Sequence, residues 1–129
     1  MLDTNIVSDL IRNPAGRVAG HLASVGDNGL AVSIITAAEL RFGAAKSRSA
    51  KLLSRVEAAL LALAVLPFDV PADAEYAGIR AELEAAGQTI GPNDLLIAAH
   101  AYSLGTIMVT ANVGEFSRIR GLKVENWLE

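Results

Sequence analysis

The sequence predicts an α/β fold in which a mainly parallel sheet of four to five strands lies between two layers of helices. Two features carry that prediction. Short apolar runs alternate with amphipathic stretches from one end of the chain to the other, and one or two helical stretches separate successive runs. Such spacing requires crossover connections, and crossovers join parallel strands in a sheet covered on both faces. The length, 129 residues, suffices for one buried core and not for two.

Each element has its own punctuation. Met1-Leu2 reads as the end of a strand, followed by Asp3-Thr4-Asn5 and a short helix from about Ile6 to Ile11. Asn13-Pro14 places a capping residue before a proline and opens a helix towards Val25. Gly26-Asp27-Asn28-Gly29 is a turn. Leu30 to Ser33 reads as a buried strand, with a helix from about Ile35 to Ala45 and another from about Ser49 to Leu63. Val65-Leu66-Pro67-Phe68 is a strand whose proline favours an edge or an end. Pro71 starts the next helix and Gly87 ends it; Gly91-Pro92-Asn93-Asp94 introduces a further helix that Gly105 closes. Thr106 to Val109 and Leu122 to Val124 complete the strands.

Composition removes several function classes. The chain is 52% hydrophobic and 19% charged, too apolar for a disordered segment. Its longest unbroken apolar run, Ala58 to Leu66, falls well short of the roughly 18 to 20 residues of a spanning helix. With no cysteine and no secretory leader, the expectation is a cytoplasmic protein without membrane contact or disulfides. Phosphate-loop, dinucleotide and Gly-x-Ser-x-Gly motifs are absent from the sequence. The net charge of −3 is uneven: residues 1–55 hold seven Lys/Arg against four Asp/Glu, and residues 56–129 hold four against ten. Arg41, Lys46, Arg48, Lys51 and Arg55 follow one another without an intervening acid. They fit contact with phosphates and, equally, a solvated face that keeps an apolar protein soluble.

The acids sit where an open parallel sheet gathers ligands, at the carboxyl ends of the strands. Asp3 follows the first strand, Asp94 opens a helix, and Asn112 and Glu115 follow the strand ending near Val109. Glu39 lies one turn into a helix on the stripe of Ile35 and Phe42, an expensive place for an unpaired carboxylate. A salt bridge to Arg41 is its bland alternative, as a favourable helix-start charge is for Asp94 and a capping role for Asp3-Thr4-Asn5. Together, acids brought to one edge repel unless a cation lies among them, and oxygen-only ligands suit a hard ion, Mg²⁺ or Mn²⁺. His21 is expected on a polar helix face. His100 is expected at the surface or in an orienting role.

Four segments resemble, in order and over almost the whole chain, the PIN-domain ribonucleases and in particular the VapC-like toxins of toxin–antitoxin pairs. They are MLDTNIVSDLI (Met1 to Ile11), SIITAAELRFGA (Ser33 to Ala44), IGPNDLLIAAHA (Ile90 to Ala101) and VTANVGEFSRIRGLKVENW (Val109 to Trp127). The resemblance implies one PIN-like α/β/α domain over residues 1–129 and a Mg²⁺-dependent endoribonuclease, with Mn²⁺ as a substitute. Asp3 and Asp94 are similar to the family's metal ligands, and Glu39 and Glu115 to acids acting with them. Asn5, Ser33, Thr110 and Asn112 match supporting polar positions; Asn112 stands where the family often has a fourth acid. Only Met1 and Leu2 precede Asp3, so the first strand is stubby or begins upstream. The resemblance also implies an RNA substrate, tRNA being one choice, a neutralising antitoxin, operator DNA bound only through that antitoxin, and a homodimer. Leu60 to Leu66 and the Ile6 to Ile11 helix are candidate partner surfaces, with ordinary core as the alternative. The competing reading is a non-catalytic PIN-like module that binds a partner, which Asn112 favours.

Overall fold

The computed structural model describes residues 1–26 and 29–129. Its elements are α1 (Thr4–Arg12), α2 (Arg17–Val25), β1 (Ala31–Ser33), α3 (Ile34–Ser47), α4 (Ala50–Ala62) and β2 (Ala64–Leu66), followed by α5 (Ala72–Ala85), α6 (Pro92–Leu104), β3 (Met108–Val109), α7 (Val113–Phe116) and β4 (Val124–Glu125). Strands β1 and β2 pair in parallel, as do β3 and β4. The first residues join the two pairs. Leu2 bridges Val109 in parallel, and its N–H donates to the Ala31 carbonyl at 2.9 Å. The resulting order is β2, β1, the Met1–Asp3 segment, β3, β4, with Val65 and its neighbours at an edge as Pro67 requires.

Alternation along these short strands builds the layers. Met1 and Met108 point into a core with Ile79, Leu83, Ile97 and Phe116, beneath α5 to α7. Leu2 and Val109 point to the opposite face, onto Ile6, Val7, Leu40, Val56 and Leu60 of α1, α3 and α4. One further step along each strand brings Asp3 and Thr110 to the Met1 side at the sheet's carboxyl edge. Of the two surfaces proposed for partners, Ile6, Val7 and Leu60 are core, whereas Leu61 is 90% exposed.

Several boundaries differ from those the sequence predicts, each for a local reason. Asn13 closes α1 instead of opening α2: its N–H bonds the Asp9 carbonyl at 2.7 Å and its side-chain amide bonds the Asp9 carboxylate. Helix α2 therefore begins later, after Gly16. Thr106 is drawn into the end of α6, where Gly105 takes a left-handed φ of +66° and the Thr106 N–H returns to the Ala101 carbonyl, so β3 starts at Met108. Leu122 likewise turns back onto Ile119, and β4 starts at Val124. The four-residue α7 has too few residues to show a period. The turn expected over Gly26 to Gly29 includes Asp27 and Asn28, which lie outside the described residues.

Ser49 caps α4 as its position predicts, its hydroxyl accepting from the Leu52 N–H at 3.1 Å. Ser49→Ala is expected to cost about 1 kcal/mol in a denaturant titration, with an unchanged slope.

Candidate active site

Two adjacent strand ends meet in one hydrogen bond. Asp3, 2% exposed, accepts the Thr110 hydroxyl on Oδ2 at 2.7 Å and the Thr4 N–H on Oδ1 at 2.8 Å, the latter because Asp3 caps α1. Burial raises the Asp3 carboxyl above its ordinary range; the two hydrogen bonds oppose that rise, and the charges of Glu39 and Glu115 add to it. Thr110 also accepts the Asn112 N–H at 2.9 Å, and Asn5 accepts the Ala111 N–H at 3.2 Å. The chain leaving β3 is thereby tied to the chain entering α1.

Pro92 in the first turn starts α6 and sets Asp94 at the same edge. Its carboxyl is pushed up to about 7, first by burial, then by the Asp3 charge, by a proton-sharing contact with Glu115 and that group's charge, and by Glu39. One acid thus feels all three others. The Asn112 amide donates to Asp94 at 3.4 Å and to the Glu115 carboxylate, joining the two. Glu39, one turn into α3, is held by two neutral donors: the Thr4 hydroxyl on Oε1 and the Asn93 amide on Oε2.

Among the described residues, no Lys or Arg pairs with any of these four acids; the ion pairs are Arg41–Glu57, Arg80–Glu84 and Arg120–Glu82. The salt bridge weighed for Glu39 is therefore absent, since Arg41 turns to Glu57 at 2.8 Å on the surface. Carboxylate and amide oxygens with no soft ligand nearby fit a hard divalent ion by chemistry. As the side chains are placed, no three acids of the described residues stand close enough to share one ion. Neutral donors hold the acids where they stand: the Asn112 amide bonds both Asp94 and Glu115, while Thr4 and Asn93 hold Glu39.

The structure gathers Asp3, Glu39, Asp94, Glu115, Asn5, Thr110 and Asn112 at this edge. Ser33 lies deeper, capping α3 through the Ile35 N–H at 3.1 Å. Arg41 stands outside with Glu57, and Lys46, Arg48, Lys51 and Arg55 are exposed on the end of α3 and along α4. Three expectations are corrected. Phe42 is 67% exposed, so the stripe carrying Glu39 is not apolar to its end. His21 is half-buried, stacked on Trp127 with ring centroids 5.1 Å apart, because the chain's last turn folds over α2. His100 is buried rather than at the surface, its Nδ1 2.8 Å from the Ser33 hydroxyl. Thr4 and Asn93 join the site through their bonds to Glu39; in the sequence only their adjacency to Asp3 and Asp94 signals them.

Comparison with known proteins gives a consistent set. A model of the PIN domain matches residues 1–122. Ribonuclease VapC2 of Haemophilus influenzae is 41% identical over 130 aligned positions, covering 99% of this chain and 97% of that protein. The tRNA(fMet)-specific endonuclease VapC of Shigella flexneri is 38% identical over 128 positions, covering 98% and 96%. Among solved structures, VapBC2 from Rickettsia felis bound to a promoter DNA fragment matches with a TM-score of 0.92 at 36% identity, covering 98% of this chain and 97% of that one. DNA-bound VapBC from Salmonella typhimurium matches with a TM-score of 0.90 at 37% identity, covering 98% and 96%.

Proposed function

We propose, because this chain belongs to the PIN-domain family, that it is a divalent-metal-dependent endoribonuclease acting as the toxin of a toxin–antitoxin pair, one PIN domain over residues 1–129. The convergence of Asp3, Glu39, Asp94 and Glu115 without a neutralising cation among the described residues carries this reading. Its relatives include ribonucleases by name.

When bound, Mg²⁺ or its substitute Mn²⁺ supplies a nucleophile near neutral pH and neutralises charge gathering on the phosphate. Asp3 and Asp94 would hold it. The Thr110 hydroxyl and the Thr4 N–H keep the Asp3 carboxylate in one orientation, so little is lost to reorganisation at binding. Glu39 and Glu115 would orient the attacking water or a second ion. Thr4 and Asn93 hold Glu39 for that task, and Asn112 tethers Glu115 to Asp94.

The relative named for tRNA(fMet) makes tRNA the first substrate to test. Two solved relatives are DNA-bound VapBC complexes, one of them on a promoter fragment, which supports an antitoxin partner that neutralises this chain and carries it to operator DNA. A homodimer and a cytoplasmic location complete the reading. Lys46, Arg48, Lys51 and Arg55 track the RNA backbone, with Arg41 beside them. Changing Lys51 and Arg55 to Ser is expected to flatten the slope of log affinity for single-stranded RNA against log salt by about 1.4, if each cation meets one phosphate. An unchanged slope would remove both from the footprint.

Sequencing RNA ends after a short pulse of expression tests the activity. New ends are expected with the parent chain and none with Asp94→Asn. The same new ends in both would remove Asp94 from the chemistry, and none in either would leave a partner-binding module.

A further inference from the structure

We propose that His100 is a positioning residue for the carboxylate site: through Ser33 it fixes how α3 and α6 lie against each other, and so the separation of Glu39 from Asp94. The inference rests on the reading of those two acids as site residues. Ser33 lies six residues before Glu39 and His100 six residues after Asp94, about 9 Å along each helix. Ser33 contacts His100 at 2.8 Å, and Asn93, beside Asp94, contacts Glu39 at 3.2 Å. The two contacts pair residues in opposite chain order, so the helices run antiparallel and are fastened at two places. One fastening is buried; the other lies at the site.

The buried fastening is closely packed. A backbone contact with Pro67 partly offsets the burial that lowers the ring. The Ser33 oxygen that meets Nδ1 also takes the Ile35 N–H at 3.1 Å. Phe68 closes against the ring edge-on, with centroids 5.5 Å apart. Burial disfavours the charged ring, in keeping with a neutral imidazole there. No buried side-chain polar atom among the described residues lacks a partner. A satisfied polar pair inside a core contributes little net stability over apolar packing but restricts geometry, which is what a site spanning two helices needs.

The test compares His100→Asn, His100→Gln and Ser33→Ala. Asn presents its amide near the place of Nδ1 and can keep the Ser33 bond; Gln reaches instead towards the place of Nε2. Both lose the ring and its contact with Phe68, so general loss of packing falls on the two alike. Ser33→Ala keeps the ring and removes only the link and the cap. In the metal-free protein, the Asn93 side-chain amide resonances are expected to move in His100→Gln and Ser33→Ala and to stay at the parent position in His100→Asn. Titration with Mn²⁺ alone is expected to give about tenfold weaker binding in the first two and a value within about threefold of the parent in the third. Stationary Asn93 resonances in all three variants, or identical behaviour of Asn and Gln, would overturn the positioning role. Failure of the parent chain to bind Mn²⁺ would overturn the carboxylate reading instead, with the Asn93 resonances still deciding whether the fastenings communicate.

Discussion

Asp94→Asn is expected to reduce RNA cleavage by at least about a thousandfold and, at the same time, to make the metal-free protein more stable at pH 8. The first effect follows from the proposed role of Asp94 as one of two ligands to an ion that would supply several kcal/mol of charge stabilisation at the reacting phosphate. The second follows from the charges around Asp94. Its folded-state value of about 7 lies above its ordinary 3.8, so the folded chain keeps a proton that the unfolded chain has released between those limits. Stability from this group is complete below about pH 4 and is lost as pH rises towards 7. The full difference is about 4 kcal/mol, and partial solvent exposure reduces it to about 1 to 2 kcal/mol. Asn removes the ionisation. The variant's advantage over its parent should therefore be near zero at pH 4 and reach a plateau above pH 7, a Tm rise of roughly 4 to 8 °C. The lowered His100 ring and the Met1 amine, lowered to about 6, act in the opposite sense; both are common to the two chains and cancel in the difference. A variant less stable than its parent at every pH would contradict the repulsion.

Metal removal should match that loss. Chelation is expected to abolish cleavage, and readdition of Mg²⁺ or Mn²⁺ to restore it. At an ion concentration a hundredfold above the dissociation constant, the parent chain should gain about 2.7 kcal/mol, read as a rise in Tm of about 10 °C. The gain should be larger at pH 8 than at pH 5, because a protonated Asp94 must release its proton before it can ligate. Asp94→Asn should show little of it. Cleavage undiminished by chelation, or an equal thermal shift in the variant, would separate the acids from the chemistry.

Much of this site is legible in the sequence because its parts are marked by local chemistry. Asp3 stands where an apolar run stops, Asp94 follows Gly91-Pro92, and Thr110 and Asn112 trail a strand, so each lies next to punctuation that reads without knowledge of tertiary contacts. Glu39 has no such marker. Its stripe reads as apolar on both sides, yet Phe42 is exposed: the buried face of α3 runs through Thr36, Ala37, Leu40 and Ala44, and Phe42 lies off it. Long-range contacts were less legible still. The Ser33–His100 bond joins residues 67 apart and the Asn93–Glu39 bond residues 54 apart, and neither helical period nor turn chemistry encodes them. Asn13-Pro14 misled for the opposite reason: a strong local signal for starting a helix was outcompeted by the Asp9 carboxylate one turn back.

The most direct measurement is the number of protons released when Mn²⁺ binds, obtained by calorimetric titration in buffers of different ionisation enthalpy at pH 6 and pH 8. With Asp94 near 7, about one proton per ion should leave at pH 6 and almost none at pH 8. No binding heat at either pH, or the same proton count at both, would contradict a pocket of mutually repelling carboxylates that a divalent ion relieves.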